Sequence, residues 1–182
     1  MYKKLEEYIQ NNENKIIAID GPSGSGKSTL SKYLEETYDC MVFHTDDYFL
    51  SKEQKTESRL NEAGGNLDYE RLEKEIFLHL DDQEITSNYF NCMTNQLEIR
   101  EPREKKSIIV VEGVYSLHPR FQKYYDLKVF LDLDKEKQFQ RIEERSGKVM
   151  LKRFQEEWIP LEDFYFEQFR IRDISDFYFK IQ

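Results

Sequence analysis

The sequence contains little cysteine, proline and glycine, with 2, 4 and 7 residues respectively among 182. Cys40 and Cys92 stand alone, without a C-x-x-C pair or a Cys/His cluster, which excludes a disulfide framework and the common zinc motifs. We therefore expect two free thiols, buried or half-buried, in a reducing compartment. The histidines at positions 44, 79 and 118 show no metal-ligand spacing, and we assign them no role.

Long apolar runs and basic blocks are also missing. The longest aliphatic runs, 16–19 and 108–111, are far too short to cross a bilayer, and residues 1–15 lack the apolar core of a signal peptide. The formal net charge of −9 disfavours nucleic acid and anionic membranes as partners. The sequence predicts a cytoplasmic protein that binds neither, and its oligomeric state stays open, a homo-oligomer included.

One motif is highly specific. Residues 21–29, Gly-Pro-Ser-Gly-Ser-Gly-Lys-Ser-Thr, have the G-x-x-x-x-G-K-[ST] spacing of a phosphate-binding loop, between a strand pattern and a helix pattern. The glycines let backbone N–H groups point at phosphates, and the helix directs its positive dipole end at the same anion. The alternative is a glycine-rich surface turn. We predict ATP contacts from Gly21, Ser23, Gly24, Ser25, Gly26, Lys27, Ser28 and Thr29, with Lys27 on the β/γ-phosphates and the Ser28 hydroxyl on Mg²⁺.

Short apolar segments alternate with helical patterns along the chain. At 38% hydrophobic and 14% aromatic, 182 residues can build one good core. Continuous apolar runs are typical of parallel strands that are covered on both faces. The pattern predicts a single P-loop domain over residues 1–182, an α/β fold of three layers with a mostly parallel sheet. Predicted strands are 15–20, 40–45, 107–112, 127–133 and 177–181, with a hairpin outside the sheet at 84–98.

Helical spacing marks the remaining segments. A short amphipathic helix is predicted before the first strand, and residues 51–65 are predicted to form a mobile loop. Further helices are predicted at 30–38, 68–81, 119–124, 135–145 and 149–169, the last with an interruption at Pro160.

Three carboxylates follow predicted parallel strands, so we expect them at the sheet edge where the phosphate loop lies. We predict that Asp46 orients a substrate hydroxyl and accepts its proton, with Asp47 as the rival for that role. A helix cap or turn is the alternative for both aspartates. Glu112 ends an aliphatic strand, as a Walker B carboxylate does. We predict that it holds Mg²⁺, directly or through water, and the alternative is an ordinary strand-end carboxylate.

Basic residues are concentrated between positions 141 and 153. Arg141 and Arg145 are four residues apart and share a helix face, and Gly147 permits a bend. We predict a lid at approximately 141–153 whose cations stabilise the transferring phosphate, Arg141 and Arg145 as catalytic residues. A solvated helix face with glutamate partners is the alternative.

Asp68 and several aromatic residues have two interpretations each. Asp68 binds an acceptor sugar or simply starts the helix that follows it. The aromatic side chains either stack on a planar base or belong to the core. They are Tyr48, Phe49, Tyr69, Tyr89 and Phe90.

Five segments together match one family in order: residues 21–29, Thr45-Asp-Asp-Tyr-Phe49, Asn66-Leu-Asp-Tyr69, Val111-Glu-Gly-Val-Tyr-Ser116 and Asp126-Leu-Lys-Val-Phe-Leu-Asp-Leu-Asp134. This set resembles the uridine kinase family of the phosphoribulokinase/uridine kinase group, from about residue 16 to 145. The resemblance implies a kinase that uses ATP and Mg²⁺ to phosphorylate the 5′-hydroxyl of a nucleoside such as uridine or cytidine.

The resemblance also implies roles for single residues. In the family, the aspartate that matches Asp46 is the base, and the aspartate that matches Asp68 binds the ribose hydroxyls. Lid arginines that match Arg141 and Arg145 bind the phosphates. Tyr89 lies near a family tyrosine that packs by the base. The predicted substrate contacts are Asp46, Asp47, Tyr48, Asp68 and Tyr89.

Other acceptors and another class of function stay open. The pyrimidine-binding histidine of the family has no counterpart in residues 89–95, where Thr94 is near the expected place. Residues 46–49 also look like nicotinamide riboside kinases, and pantothenate kinases share the general plan. A regulatory nucleotide-binding or nucleotide-hydrolysing switch is the alternative class, although the Asn-Lys-x-Asp and Leu-Ser-Gly-Gly-Gln motifs of GTPases and transport ATPases are absent.

Overall fold

Nine strands occur in the computed structural model, which describes residues 1–182. They are β1 Lys15–Asp20, β2 Met41–His44, β3 Glu84–Ile85, β4 Tyr89–Asn91, β5 Gln96–Glu98, β6 Arg103–Glu104, β7 Ile108–Glu112, β8 Leu127–Leu133 and β9 Phe177–Ile181.

Five of these strands form one fully parallel sheet, in the order β2-β7-β1-β8-β9. The predicted parallel sheet is therefore confirmed. The register sets Glu112 of β7 beside His44 of β2 on one side and Ile19 of β1 on the other. As a result, the ends of β1, β2 and β7 meet at one edge of the sheet, where ligands bind in open α/β folds.

Helices cover both faces of the sheet. In β1, Ile17 and Ile19 pack on one face and Ala18 on the other, the alternation expected of a strand buried on both sides. The helices are α1 Lys3–Gln10, α2 Lys27–Tyr38, α3 Glu57–Leu60, α4 Tyr69–Glu75, α5 Lys135–Arg153 and α6 Ile159–Gln168. Helices α1 and α2 pack on the first face, and α4 and α6 on the second, which gives the three predicted layers.

Two predicted helices are shorter than expected. The predicted helix 68–81 is α4 followed by a 3₁₀ turn, Phe77–His79, and the predicted helix 119–124 is only a 3₁₀ turn, Gln122–Tyr124. Both turns belong to one aromatic cluster, in which the Phe77 ring stacks at 4.7 Å on Tyr124 and at 4.8 Å on Phe121. Tertiary packing therefore overrides local helix spacing here.

The helical segment after β8 is interrupted twice. Gly147 has φ 79° and ψ 167°, so α5 breaks where a bend was predicted. The second interruption is a π-helical turn, Phe154–Trp158, ahead of the predicted position. The predicted interruption at Pro160 is therefore present but lies slightly earlier: the π-helical turn ends two residues before the proline, which itself belongs to the first turn of α6.

The segments outside the main sheet are ordered by side-chain contacts. Strands β4 and β5 form the predicted hairpin, and β3 pairs with β6. The predicted loop 51–65 contains α3, and Arg59 fastens it by donating to the Gly65 and Leu67 carbonyls at 3.1 and 3.0 Å. Cys40 is buried as expected, whereas Cys92 is exposed, so the burial predicted for it is wrong. None of the helices is long and apolar enough to span a membrane.

Candidate active site

The phosphate loop connects β1 to α2 with the backbone shape its glycines permit. Gly21 has φ 147°, and a Cβ at this position would lie 2.3 Å from the Leu131 carbonyl oxygen. Gly26 has φ 92° and directly precedes α2, so the helix N-terminus opens onto the loop. The Lys27 ammonium donates to the Gly21 and Pro22 carbonyls at 2.7 and 3.1 Å. The loop therefore has a defined shape without a ligand.

A cavity of about 1150 Å³ opens over this loop. It brings together most of the predicted site residues from four separate segments of the chain. These lining residues are Ser23, Gly24, Gly26, Lys27, Ser28, Thr29, Asp46, Glu112, Arg141 and Arg145.

The other half of the cavity is formed by the segment after Asp46 and by the β4–β5 hairpin, and we call it the hairpin half. It combines aromatic rings with amide, thiol and ammonium groups. Its lining includes Phe49, Leu50, Lys52, Lys55, Asn66, Phe90, Cys92, Met93 and Asn95, and Phe154 and Trp158 also line the cavity.

Asp46 lies in the 3₁₀ turn Thr45–Tyr48 that continues β2. Its carboxylate keeps contact with solvent in the cavity, but burial among protein atoms raises its pKa. The Lys27 charge opposes that shift, and the Glu112 charge adds to it. A carboxylate with a raised pKa is a better proton acceptor than a free aspartate, and perturbed carboxyls in clefts are typical of functional sites.

Asp47 points to different partners. Its carboxylate accepts from the Arg100 guanidinium at 2.7 Å, and its backbone carbonyl accepts from Arg71 at 2.5 Å. Asp47 does not line the cavity, so the two adjacent aspartates have separate environments. The ion pair fastens the segment after β5 to the turn that carries Asp46.

Three further predicted substrate contacts also lie outside the cavity lining. Tyr48 is fully buried and donates to Glu75 at 3.1 Å. Asp68 caps α4 by accepting from the Arg71 N–H at 3.0 Å, and it also accepts from the Gln54 amide at 3.1 Å. Tyr89 lies in β4 under the Arg100 guanidinium, 5.2 Å from the ring centroid. These residues hold the elements around the cavity in place.

Glu112 forms a pair that the sequence analysis missed. Its Oε1 lies 2.6 Å from His44 Nδ1, across the register of β2 and β7. This hydrogen bond is the main cause that raises the pKa of His44, while burial opposes it. No spacing in the sequence links the two residues, because a parallel pairing between strands is a tertiary feature. The second Glu112 oxygen is left for the cavity.

Glu162, which the sequence analysis also missed, binds the phosphate loop from α6. Its carboxylate accepts from the Ser23 N–H at 3.0 Å, from the Ser23 hydroxyl, and from Gln138 at 3.4 Å. Burial raises the pKa of Glu162, and the two bonds from Ser23 oppose that shift. The first turn of the loop is thereby tied to the helix that follows the lid.

Asp20 is a third missed carboxyl, fully buried where β1 enters the loop. It accepts from the Gly21 N–H at 2.7 Å, the Leu117 N–H at 2.9 Å and the Tyr165 hydroxyl at 2.7 Å. Burial raises its pKa to about 6, and these hydrogen bonds and the Lys27 charge oppose the rise. Asp20 therefore links the loop to the segment after β7 and to α6.

The raised pKa of Asp20 predicts a pH-dependent stability. The folded protein binds the carboxyl proton of Asp20 more tightly than the unfolded chain does, in which the pKa is 3.8. The protonated carboxyl therefore contributes fully to the free energy of unfolding below pH 3.8, and this contribution is lost as the pH rises through about 6. From about pH 4 to pH 7, the free energy of unfolding of wild type should fall by about 2 to 3 kcal/mol more than that of the Asp20→Asn variant, which lacks this titration. Urea unfolding across pH measures this, with exposed Asp39→Asn as control. A difference that does not change with pH would contradict it.

The predicted lid cations divide into two groups. Arg141 donates to the Gly24 carbonyl at 3.2 Å, and the Arg145 guanidinium lies 5.6 Å from the Phe154 ring centroid, both on the cavity. The later cations are paired with glutamates: Lys148 with Glu143 at 3.9 Å, Lys152 with Glu156 at 3.8 Å and Arg153 with Glu157 at 3.0 Å.

The donor set of the cavity fits Mg²⁺. The Ser28 hydroxyl and the Glu112 and Asp46 carboxylates are oxygen donors on one cavity, and Mg²⁺ prefers oxygen ligands. No cluster of three or more histidine, cysteine or acidic side chains is arranged to hold a metal alone. Such a site suits Mg²⁺ that takes one or two protein oxygens and completes its shell with phosphate oxygens and water.

Solved structures share the whole architecture. The chain superimposes on a possible uridine kinase from Bacillus stearothermophilus with a TM-score of 0.70 and 21% identity, over 97% of this chain and 99% of that one. A structure from Silicibacter sp. TM1040, provisionally described as a fructose transport system kinase, gives a TM-score of 0.75 and 15% identity, with 98% of both chains covered. At these identities the likeness concerns the fold.

Sequence comparison gives a family and a distant relative. The chain is 29% identical to the guanylate kinase of Clostridium perfringens (strain SM101 / Type A) over 116 residues, 59% of this chain and 50% of the relative. It thus spans about half the length of that relative. The family model AAA_18, described as AAA domain, matches residues 17–159. The chain therefore belongs to the AAA_18 family of AAA domains and has a P-loop kinase-type fold.

Proposed function

We propose that this protein transfers the γ-phosphate of ATP to a hydroxyl group of a small molecule. The observation that carries the proposal is that Asp46 lines the same cavity as Lys27, Ser28, Arg141 and Arg145. A phosphate loop alone suits many nucleotide-binding proteins. A carboxylate with a raised pKa facing that loop adds what transfer to an alcohol requires, a group that takes the proton. The size of the cavity also supports this, since it exceeds the roughly 300–1,000 Å³ of single ligand sites.

The residues of the cavity divide the work of phosphoryl transfer. Lys27 and the backbone N–H groups of the loop bind the β- and γ-phosphates, and Arg141 and Arg145 balance the charge that builds on the transferring group. Asp46 orients the acceptor hydroxyl and takes its proton. The acceptor oxygen bonds to the γ-phosphorus, the bond from that phosphorus to the β–γ bridging oxygen breaks, and ADP leaves.

Mg²⁺ is the implied cofactor. Ser28 and the free oxygen of Glu112 would hold it beside the phosphates, with His44 keeping the other Glu112 oxygen. When bound, the ion supplies positive charge that neutralises the phosphate oxygens. His44 orients Glu112, so the pair presents one defined carboxylate oxygen to the cavity.

A nucleoside such as uridine or cytidine is the first candidate acceptor, on the motif resemblance and on the kinase descriptions of the similar structures. The aromatic rings of the hairpin half suit a planar base. Nicotinamide riboside and pantothenate are the further candidates. Pantothenate is favoured by one specific observation, the two lysines of the hairpin half, since it carries a carboxylate.

The decisive test is ADP formation from ATP and Mg²⁺ with a panel of nucleosides, nicotinamide riboside and pantothenate. We expect ADP release to depend on one acceptor class and to yield the phosphorylated alcohol by mass spectrometry. ADP release at the same rate with every acceptor and with none would contradict the proposal and favour a nucleotide-hydrolysing switch. Repeating the panel with GTP identifies the donor.

A further inference from the structure

Two lysines of the hairpin half form no close ion pair. Lys52 and Lys55 line the cavity, and neither ammonium group forms an ion pair within 4.0 Å, unlike Arg153, which is paired with Glu157. Lys27 and Arg141 are engaged with carbonyl groups of the phosphate loop. Lys52 and Lys55 are therefore the two cations that the hairpin half contributes to the cavity without such an engagement.

The turn that carries these lysines is held in place. The Gln54 and Lys55 N–H groups donate to the Ser51 carbonyl at 3.1 and 3.2 Å. The Lys52 N–H donates to Asn95 Oδ1 at 3.1 Å, which ties the turn to the β4–β5 hairpin. Both side chains thus extend toward the cavity from fixed backbone positions, so less entropy is lost when they bind a ligand.

Lys55 shares a neighbour with Asp46 in the cavity lining, the thiol of Cys92. Burial raises the pKa of Cys92, while the Lys55 charge lowers it and the Asp46 charge raises it. One thiol therefore lies within electrostatic reach of both side chains. The Lys55 charge likewise adds to the lowering of the Glu157 pKa, which is caused mainly by the hydrogen bond from Arg153.

We propose that Lys52 and Lys55 bind an anionic group, carboxylate or phosphate, carried by the same alcohol that Asp46 activates. This inference rests on the proposed phosphotransfer and names its substrate class. The chain has a net charge of −9, so an anion needs local cations to enter, and a neutral nucleoside would leave both lysines unused. Anionic alcohols such as hydroxy acids and sugar phosphates therefore fit the hairpin half better than uridine or cytidine.

The anion site is tested by binding, without turnover. With the phosphate loop filled by Mg²⁺ and a non-hydrolysable ATP analogue, inorganic phosphate and succinate are titrated separately while the unfolding temperature is followed. At least one anion should raise it in wild type, by mass action on the folded state. The double variant Lys52→Gln, Lys55→Gln should need at least about tenfold more of that anion.

The matched control removes the same charge elsewhere, through Lys74→Gln with Lys137→Gln, both exposed and outside the cavity. This control should respond to the anions as wild type does. Equal anion affinity in the two double variants overturns the proposal, as does a wild-type protein that responds to neither anion.

Turnover then tells the carboxylate from the phosphate. Pantothenate is compared with panthenol, in which a hydroxymethyl group replaces the carboxylate, and uridine 3′-monophosphate is compared with uridine; mass spectrometry shows which hydroxyl of panthenol is phosphorylated. One charged member should exceed its neutral partner about tenfold in kcat/KM, and the lysine double variant should remove that advantage. Equal kcat/KM within both pairs overturns the anion inference alone. Failure to phosphorylate any alcohol contradicts the proposed function instead.

Discussion

Lys27→Ala is expected to lower kcat by about a hundred- to a thousandfold, the cost of removing one preorganised charge from a transition state. Lys27 is the one cation fixed inside the phosphate loop, where it bonds to the Gly21 and Pro22 carbonyls. When a nucleotide binds, its phosphates replace these carbonyls as partners of the ammonium group. Lys27 is therefore already in position when ATP arrives. Steady-state ADP formation measures the effect.

The fold should survive this substitution, because Asp20 still accepts from the Gly21 N–H and Glu162 from the Ser23 N–H, although the two carbonyls lose their donor. Thermal unfolding of the variant checks this, and Lys32→Ala is the matched control: it removes an exposed lysine of the same helix, paired only with Glu36. Since the Lys27 charge lowers the pKa of Asp46, its loss should also move the acidic limb of the residual activity to higher pH. Rates near wild type would show that the loop does not hold the reacting phosphates.

The sequence predicts the parts of this fold whose signals are local. The phosphate loop needs glycine at positions with positive φ, and only a few residue types satisfy that geometry, so nine consecutive residues identify it. The strands of the parallel sheet are continuous aliphatic runs because both faces are covered. The rule that ligands bind at the carboxyl ends of strands then places Asp46 and Glu112 on one cavity, as the structure shows.

The carboxylates that shape the loop could not be predicted in this way. Glu162 reaches Ser23 from α6, Tyr165 reaches Asp20 from the same helix, and His44 meets Glu112 through a strand register. Each contact joins residues far apart in the chain, and a single sequence carries no signal for such pairs. A buried aspartate at the end of an aliphatic strand, such as Asp20, is the one local hint, since a buried charge needs partners.

Helix ends were mispredicted for a related reason. The apolar spacing of residues 68–81 continues past the true end of α4, because the same apolar side chains are required by the aromatic cluster around Phe77. Pro160 was expected to interrupt a helix, and the interruption occurs as the π-helical turn Phe154–Trp158, directly before the helix whose first turn contains this proline. In residues 68–81, periodicity identified the buried face and misjudged the backbone.

Asp46→Asn is expected to lower kcat by a factor of about 10² to 10⁴, the range for loss of a general base. Asparagine keeps the shape and can still orient a hydroxyl, but it takes no proton. ATP affinity should stay equal or improve, because the change removes a negative charge from a cavity that binds phosphates. A fall in kcat with an unchanged ATP binding constant would place the role of Asp46 in the transfer step.

The pH profile gives a second measure of the same role. Only ionised Asp46 accepts a proton, and burial raises its pKa, so wild-type kcat/KM should fall on the acid side at a pH above the ordinary aspartate value of 3.8. The Asp46→Asn variant should lack this limb. Retention of the limb in the variant would assign it to another group, with His44 as the neighbour whose pKa is also raised.

Asp47→Asn separates the two adjacent aspartates. Asp47 is held by Arg100 at 2.7 Å and lies off the cavity, so its neutralisation weakens the attachment of the hairpin segment without touching the proton path. We expect a lower unfolding temperature and at most a modest loss of kcat, with the acidic limb preserved. If Asp47→Asn is the more damaging change for kcat, the base is Asp47, because a 3₁₀ turn can bring only one of two consecutive carboxylates to the acceptor hydroxyl.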